Sequence, residues 1–202
     1  GVVTDNIEPN YIDSYSKWME NKDEARLYSE SQHAGSLGPG RSLSRMIDFS
    51  GVGHLLDIAG GTGGLSIRLC EANPNLRVTI IDFPNVVSLG KEKVKEAGLS
   101  DRISFIGGNA LDYGWPKDVG AVLMSYLYNG VPGESIPELA LQAYNVMKPG
   151  GKYIVHDFMV EDDRSGPHLA ALWQLQHLAF TPNAKSITPS WVSSIMEGAG
   201  FI

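Results

Sequence analysis

From residue 54 to residue 158 short β-branched, apolar runs alternate with segments of helical periodicity, and that alternation leaves few folds open. "HLLDIA", "RVTIID", "RISFI", "DVGAVLMS" and "KYIVHDF" read as strands. Between them "LSIRLCEAN", a stretch within 86–97 and residues 135–147 read as helices. Continuous apolar strands joined through helices imply a parallel sheet covered on both faces. Right-handed crossovers then give an α/β, doubly wound, mainly parallel sheet of Rossmann-like form. Ligands of such sheets bind at the carboxyl ends of the strands, where the loops after residues 59, 82, 106 and 125 converge. "KPGG", residues 148–151, is expected to break the chain before the fifth strand.

Residues 1–50 are more polar. "IDSYSKWME" and "RSLSRMIDF" carry apolar residues at helical spacing, while "HAGSLGPG" between them is too rich in glycine for helix or strand and predicts a loop. The expected division is a helical and loop segment over 1–50 and a sheet domain over 51–202. With 202 residues the chain can bury a proper core. Its net charge of −7 argues against a nucleic-acid backbone as partner. No apolar run reaches the ~20 residues of a membrane helix, and the first residues lack the basic and apolar regions of a signal peptide. A lone cysteine, Cys70, excludes an internal disulfide, suits a reducing cytoplasm and reads as a core residue. No cluster of His, Cys and Asp has metal-ligand spacing, so no metal is expected.

"LLDIAGGTGGLSIRL" sets four glycines, Gly60, Gly61, Gly63 and Gly64, between the first strand and the first helix. Glycine there permits positive φ and close approach of a ligand to the backbone, with helix N–H groups facing it. Two nucleotides fit, a dinucleotide and S-adenosylmethionine. The dinucleotide fingerprint wants Gly or Ala where this chain has Ser66. Asp57, three residues before the glycines, would repel a pyrophosphate and attract the amino group of a methionine moiety. Asp82 ends the second strand, where a carboxylate can take both ribose hydroxyls. Asn109 follows the third strand, as an adenine reader or a plain turn residue. Acid, glycines, acid and polar turn together favour the methionine nucleotide.

"LLDIAGGTGG", "IIDFPNVV", "RISFIGGNAL", "LMSYLYNG", "MKPGGKYIVHDFMVEDDRSGP" and "MEGAGF" occur in an order that resembles the S-adenosylmethionine-dependent small-molecule O-methyltransferases, the group of the plant caffeate-type and acetylserotonin enzymes. The resemblance covers roughly residues 25–202. It implies that Gly61 and Gly63 hold the methionine end of the cofactor beside Asp57. It further implies that Asp82 binds the ribose, that Asn109 and Ala110 flank the adenine, and that Ser125 lies near the sulfonium. That family usually has Asp-Phe where this chain has Asn109-Ala110. Members also carry an N-terminal dimerisation domain and two further strands after "GAGF". The chain is therefore expected to be a catalytic-domain fragment with its sheet edge uncovered, taken from a homodimer, with residues 1–50 contributing to the substrate pocket.

Where the resembling enzymes carry a catalytic His-Asp-Trp, this chain has Tyr128-Asn129-Gly130, so the proton acceptor is missing. The family glutamate at the end of the fifth strand corresponds to Asp157, displaced beside His156 and placed to orient a substrate. Its second glutamate is not evident near "ITPSW", where Thr188-Pro189 reads as a helix N-cap with proline in the first turn. A thioether sulfur carries no proton and needs no base, so positioning alone can serve as catalysis. Tyr128 then shapes the pocket or holds a substrate oxygen, and Tyr126, Trp173 and Tyr128 offer aromatic faces to a cationic product. The alternative keeps Tyr128 as a packing residue and puts the base at His156 or His177.

In the family the helix "HLAALWQLQHLAF" lines the acceptor pocket, with Trp173 and His177 at i, i+4 on one face. That places Gln174 and His177 as ligands for a hydroxy acid; the alternative makes Trp173 core and His177 exposed. Gln32 and His33 are candidates from the preceding loop. "QHAGSLGPGR" and the segment 156–182 are also similar to a marine branch that S-methylates 4-methylthio-2-hydroxybutyrate on the way to dimethylsulfoniopropionate. Three further readings stay open: O-methylation of a phenol, a nicotinamide oxidoreductase, and a cofactor-binding protein without transfer.

Overall fold

The computed structural model describes residues 15–112, 114–181 and 183–202, with residues 178–180 described by their backbone alone. Residues 12–14 of the first expected helix lie outside the described residues. The chain divides into two compact units. One comprises Trp18–Ser125 with Val146–Val155, the other Tyr126–Asn145 and His156–Ile202 with the described part of Gly1–Lys17.

The first unit holds the sheet. Its strands are β1 (His54–Ile58), β2 (Arg77–Asp82), β3 (Ile103–Gly107), β4 (Val119–Ser125) and β5 (Met147–His156), in the order β3-β2-β1-β4-β5. β1 pairs in parallel with β2 and β4, and β2 with β3, with Leu56 opposite both Thr79 and Val122. The order reverses between β1 and β4, the switch point at which open sheets of this kind bind ligands. Leu55, Val78, Ile80, Ala121 and Leu123 bury one continuous apolar core together with Leu65, Leu69 and Cys70 from α3 (Gly64–Ala72). Helix α4 (Pro84–Glu96) starts with proline in its first turn and follows β2.

The expected loop at "HAGSLGPG" is helix. Asn21 caps α2 (Lys22–Met46) by accepting from the N–H groups of Asp23 and Glu24, and the helix runs without a break through Gly35, Gly38, Pro39 and Gly40. Packing overrides propensity here. A Cβ at Gly40 would stand 2.9 Å from the Leu65 carbonyl, and one at Gly64 would stand 2.2 Å from the Ser36 hydroxyl. Gly40 and Gly64 are where α2 and α3 approach each other closely.

The expected break at "KPGG" is also absent, because β5 begins at Met147 and runs through it. Gly150 takes φ +76°, and a Cβ at Gly151 would lie 3.2 Å from the Gly120 carbonyl at the start of β4. Glycine lets the strand stay close to its neighbour where a side chain would push it off.

The second unit holds a 3-10 turn, Tyr128–Gly130, and most of α5 (Ile136–Val146), which follow β4 along the chain. Helix α6 (His168–Phe180) and α7 (Pro189–Ala199) complete it, while α1 (Tyr15–Glu20) begins in this unit. Thr188 caps α7 as expected, accepting from Trp191 N–H at 3.3 Å. Among the described residues no helix is long and apolar enough to cross a membrane. No group of three or more His, Cys, Asp or Glu among them could hold a metal ion.

Candidate functional site

The turn from β1 into α3 is shaped by positive φ at Ala59 (54°), Gly61 (61°) and Gly63 (81°). Gly63 is the N-cap of α3 and supplies no side-chain cap, so the first-turn N–H groups are left to other partners. Gly60 is glycine for a separate reason: a Cβ there would meet the Asp57 carboxylate at 2.5 Å. Nothing lies within 4 Å of where a Gly61 Cβ would be, so this part of the loop is open.

Two buried carboxylates support the loop. Asp82 accepts Gly61 N–H through Oδ2 and Phe83 N–H through Oδ1, each at 2.7 Å. Burial pushes its carboxyl up to about 6 against the pull of those two donors. Asp57 accepts the Ser66 hydroxyl on Oδ2 at 2.6 Å, and its Oδ1 is buried without a hydrogen-bond partner among the described residues. Burial raises Asp57 to about 7, the Ser66 bond opposes that, and the Asp82 charge adds to it. Ser66, which the sequence marked only as an off-pattern residue, is thus the donor that holds Asp57. Its signal was there, since a hydroxyl stood where the dinucleotide pattern wants none.

His33 and Gln32 lie on α2 and not in a loop. Gln32 is exposed. His33 places Nδ1 2.8 Å from the Thr62 hydroxyl inside the glycine loop, and burial, aided by the Lys93 charge, holds its imidazole below the ordinary value. Thr62, which the sequence reading passed over, therefore ties the loop to α2. Asn109 accepts Leu111 N–H at 3.1 Å and donates to Asp112 at 2.8 Å, so its amide is engaged in a local turn. Ala110 beside it is buried, its carbonyl accepting the Trp115 indole N–H at 2.9 Å. Ser125 is half-buried at the end of β4.

The other candidates belong to the second unit. Tyr126 takes φ +58°, and its ring stacks on Phe158 at 5.4 Å, meets His156 edge-on at 4.8 Å and lies 5.9 Å from Trp173. Phe158, unforeseen from sequence, closes this wall by packing 4.7 Å from Trp173. Burial raises the Tyr126 phenol, the Asp157 charge adding to it, and burial lowers the His156 imidazole.

Tyr128 is fully buried and so is Asn129 beside it. Asn129 donates its side-chain amide to Asp157 Oδ1 and to the Phe158 carbonyl, and its backbone N–H to Asp157 Oδ2 at 3.2 Å. Phe158 N–H adds a bond to Asp157 Oδ1 at 2.8 Å. Burial lifts the Asp157 carboxyl and these donors hold it down. In this arrangement Asp157 clasps the 3-10 turn. Gln174 is similarly committed: Nε2 donates to the Phe158 and Ile187 carbonyls at 2.8 and 3.0 Å, and Oε1 accepts from Ser186 at 2.6 Å. His177 is buried, not exposed, and lies 5.3 Å from the Trp173 ring. Burial keeps it below its ordinary value.

A glycine-lined turn, braced by two buried acids, therefore stands at the switch point of the sheet. Residues 11–202 match the O-methyltransferase domain family. The chain belongs to that family.

Its relatives differ in the atom they methylate. It is 30% identical, over 70% of its length and 41% of the relative's, to a 3-hydroxy-5-methyl-1-naphthoate 3-O-methyltransferase of Streptomyces sahachiroi. It is also 30% identical, over 94% of its length and 52% of the relative's, to an L-tyrosine C(3)-methyltransferase of Streptomyces lavendulae. The fold matches human N-acetylserotonin methyltransferase, crystallised with S-adenosylmethionine, at a TM-score of 0.83 and 22% identity, covering 94% of this chain and 54% of that one. The chain spans about half the length of the curated relatives it matches. Family membership and the five-stranded order agree with the doubly wound sheet expected from sequence.

Proposed function

We propose that this family member binds S-adenosyl-L-methionine at the carboxyl ends of its strands and methylates a small molecule, with a thioether sulfur, as in 4-methylthio-2-hydroxybutyrate, as favoured acceptor. The residues fit such a cofactor. The glycine loop is open at Gly61, the first turn of α3 has no side-chain cap, and Asp57 keeps one buried oxygen without a partner among the described residues. Asp82 would take the ribose hydroxyls, and Asp57 would favour the cationic methionine end. Bound there, the cofactor supplies an electrophilic methyl group.

One observation carries the choice of sulfur. The turn after β4, where resembling enzymes place a histidine, holds a fully buried Tyr128 and an Asn129 locked to Asp157. Neither accepts a proton readily near neutral pH. A sulfur lone pair needs no such acceptor, so orientation of the acceptor can supply the rate.

A second reading, O-methylation with a relocated base, draws support from His177. Its imidazole is kept neutral by burial, and both ring nitrogens lack partners among the described residues. Single-turnover methyl transfer across pH, with a thioether acid and a catechol as acceptors, separates the two. The sulfur reading expects a rate flat with pH near neutrality, little changed in Tyr128→Phe. Catechol methylation that climbs with pH and falls ~10²–10⁴-fold in His177→Ala would replace it with the oxygen reading.

A further inference from the structure

The glycine loop is held from β2 and also from α2. On the β2 side Ala59 N–H donates to the Ile81 carbonyl at 2.8 Å, and Gly61 N–H donates to Asp82 at 2.7 Å. On the α2 side His33 Nδ1 lies 2.8 Å from the Thr62 hydroxyl. Thr62 is buried, and no other side chain bonds its hydroxyl among the described residues.

The packing of α2 on α3 makes room for this contact. A Cβ at Gly64 would stand 2.2 Å from the Ser36 hydroxyl, 3.0 Å from the His33 carbonyl and 3.2 Å from His33 Nδ1. A side chain there would press α2 away along the line that joins His33 to Thr62. Ser36 does not compete for Thr62, because its hydroxyl donates to the His33 carbonyl at 2.8 Å.

The tie to α2 differs in kind from the tie to Asp82. Asp82 is proposed to take the ribose hydroxyls, so its bond to Gly61 belongs to the cofactor site itself. His33 reaches the loop from a separate helix. Thr62 stands between Gly61 and Gly63, both at positive φ, and Ala59 holds φ 54°, a conformation that its surroundings must enforce. Fixing the Thr62 side chain restrains the backbone on both sides of it. We infer that His33 is a positioning residue for the cofactor: through Thr62 it holds the turn at residues 61–63 in the shape that receives S-adenosylmethionine. Cofactor affinity is thereby set in part from α2. The bond forms with the hydrogen on either partner, since an imidazole nitrogen and a hydroxyl can each donate or accept. It gives His33 a task on the cofactor side, where sequence made it an acceptor candidate. The inference rests on the proposed cofactor site and is indifferent to which atom is methylated.

Calorimetric titration with S-adenosylhomocysteine tests it. Thr62→Val and His33→Phe each remove one partner, and each should weaken binding about three- to tenfold, the size of one hydrogen bond. The double variant should bind no more weakly than the worse single variant, because there is one contact to lose. His33→Asn sets an amide close to where Nδ1 stands and should recover most of the affinity, which a loss of ring packing alone would not allow. In the free protein, amide exchange at Gly61 and Gly63 should quicken in Thr62→Val and His33→Phe. Additive losses in the double variant, or wild-type affinity in both single variants, would overturn the inference. So would a His33→Asn variant as weak as His33→Phe. A wild-type protein that does not bind S-adenosylhomocysteine would instead sink the cofactor reading, and the exchange rates would still judge the tie between His33 and the loop.

Discussion

The Ser66 hydroxyl donates to Asp57 Oδ2 across 2.6 Å, linking the first turn of α3 to β1 inside the core. No other side chain bonds that carboxylate among the described residues, and its second oxygen has no partner there. Ser66→Ala should therefore destabilise the protein by about 1–3 kcal/mol, the cost of leaving a buried acceptor unpaired. Urea unfolding measures it, and a variant as stable as wild type would show that the bond contributes nothing.

Asp57 and Asp82, at about 7 and about 6, hold their protons far above the range of unfolded carboxylates near pH 4. Between roughly pH 4 and 7 the folded chain then binds more protons than the unfolded one, so stability falls as pH rises through that window. Asp57→Asn should flatten the fall. Chemical denaturation at pH 5 and pH 8 would refute this if the variant kept the wild-type difference. The proposed cationic cofactor favours the ionised acids, so its affinity should rise over the same interval.

Gly40→Ala sets two effects against each other. Alanine improves helix propensity by ~1 kcal/mol, yet its Cβ would sit 2.9 Å from both the Leu65 carbonyl and Arg68 Cβ. Backbone cannot yield as a flexible side chain does, and overpacking of this kind costs about 1–3 kcal/mol. The substitution should lower the melting temperature; a rise would mean that α2 and α3 separate easily.

Asp157→Asn replaces a carboxylate that receives N–H groups on both oxygens with an amide that can receive them on one. The amide N–H₂ would face a donor. Bonds to a charged group contribute about 1.5–3 kcal/mol, and a loss of that order is expected, with amide exchange speeding up at Asn129 and Phe158. Unchanged exchange at both residues would mean that Asp157 does not hold the turn.

What local sequence settles is visible in particular elements. β1, β2 and β4 were legible because an unbroken β-branched run can bury both its sides only inside a sheet. Thr188-Pro189 announced α7 because a cap acts within three residues of itself. The two acids and the glycines between them marked a nucleotide loop because positive φ and charge belong to single residues.

Only the tertiary structure decided the rest. "HAGSLGPG" is poor helix by propensity and is helix where Gly40, Ser36 and the His33 carbonyl meet α3, a contact no local window contains. Gln174 and His177 stand three residues apart on one helix, and sequence gave both the same task. The fold spends Gln174 on the Ile187 and Phe158 carbonyls and leaves both His177 ring nitrogens without a partner among the described residues. Asp57 acquired its donor from a helix nine residues on. Side-chain chemistry is written in the sequence, but whether a polar atom is still available depends on which distant backbone has already taken it.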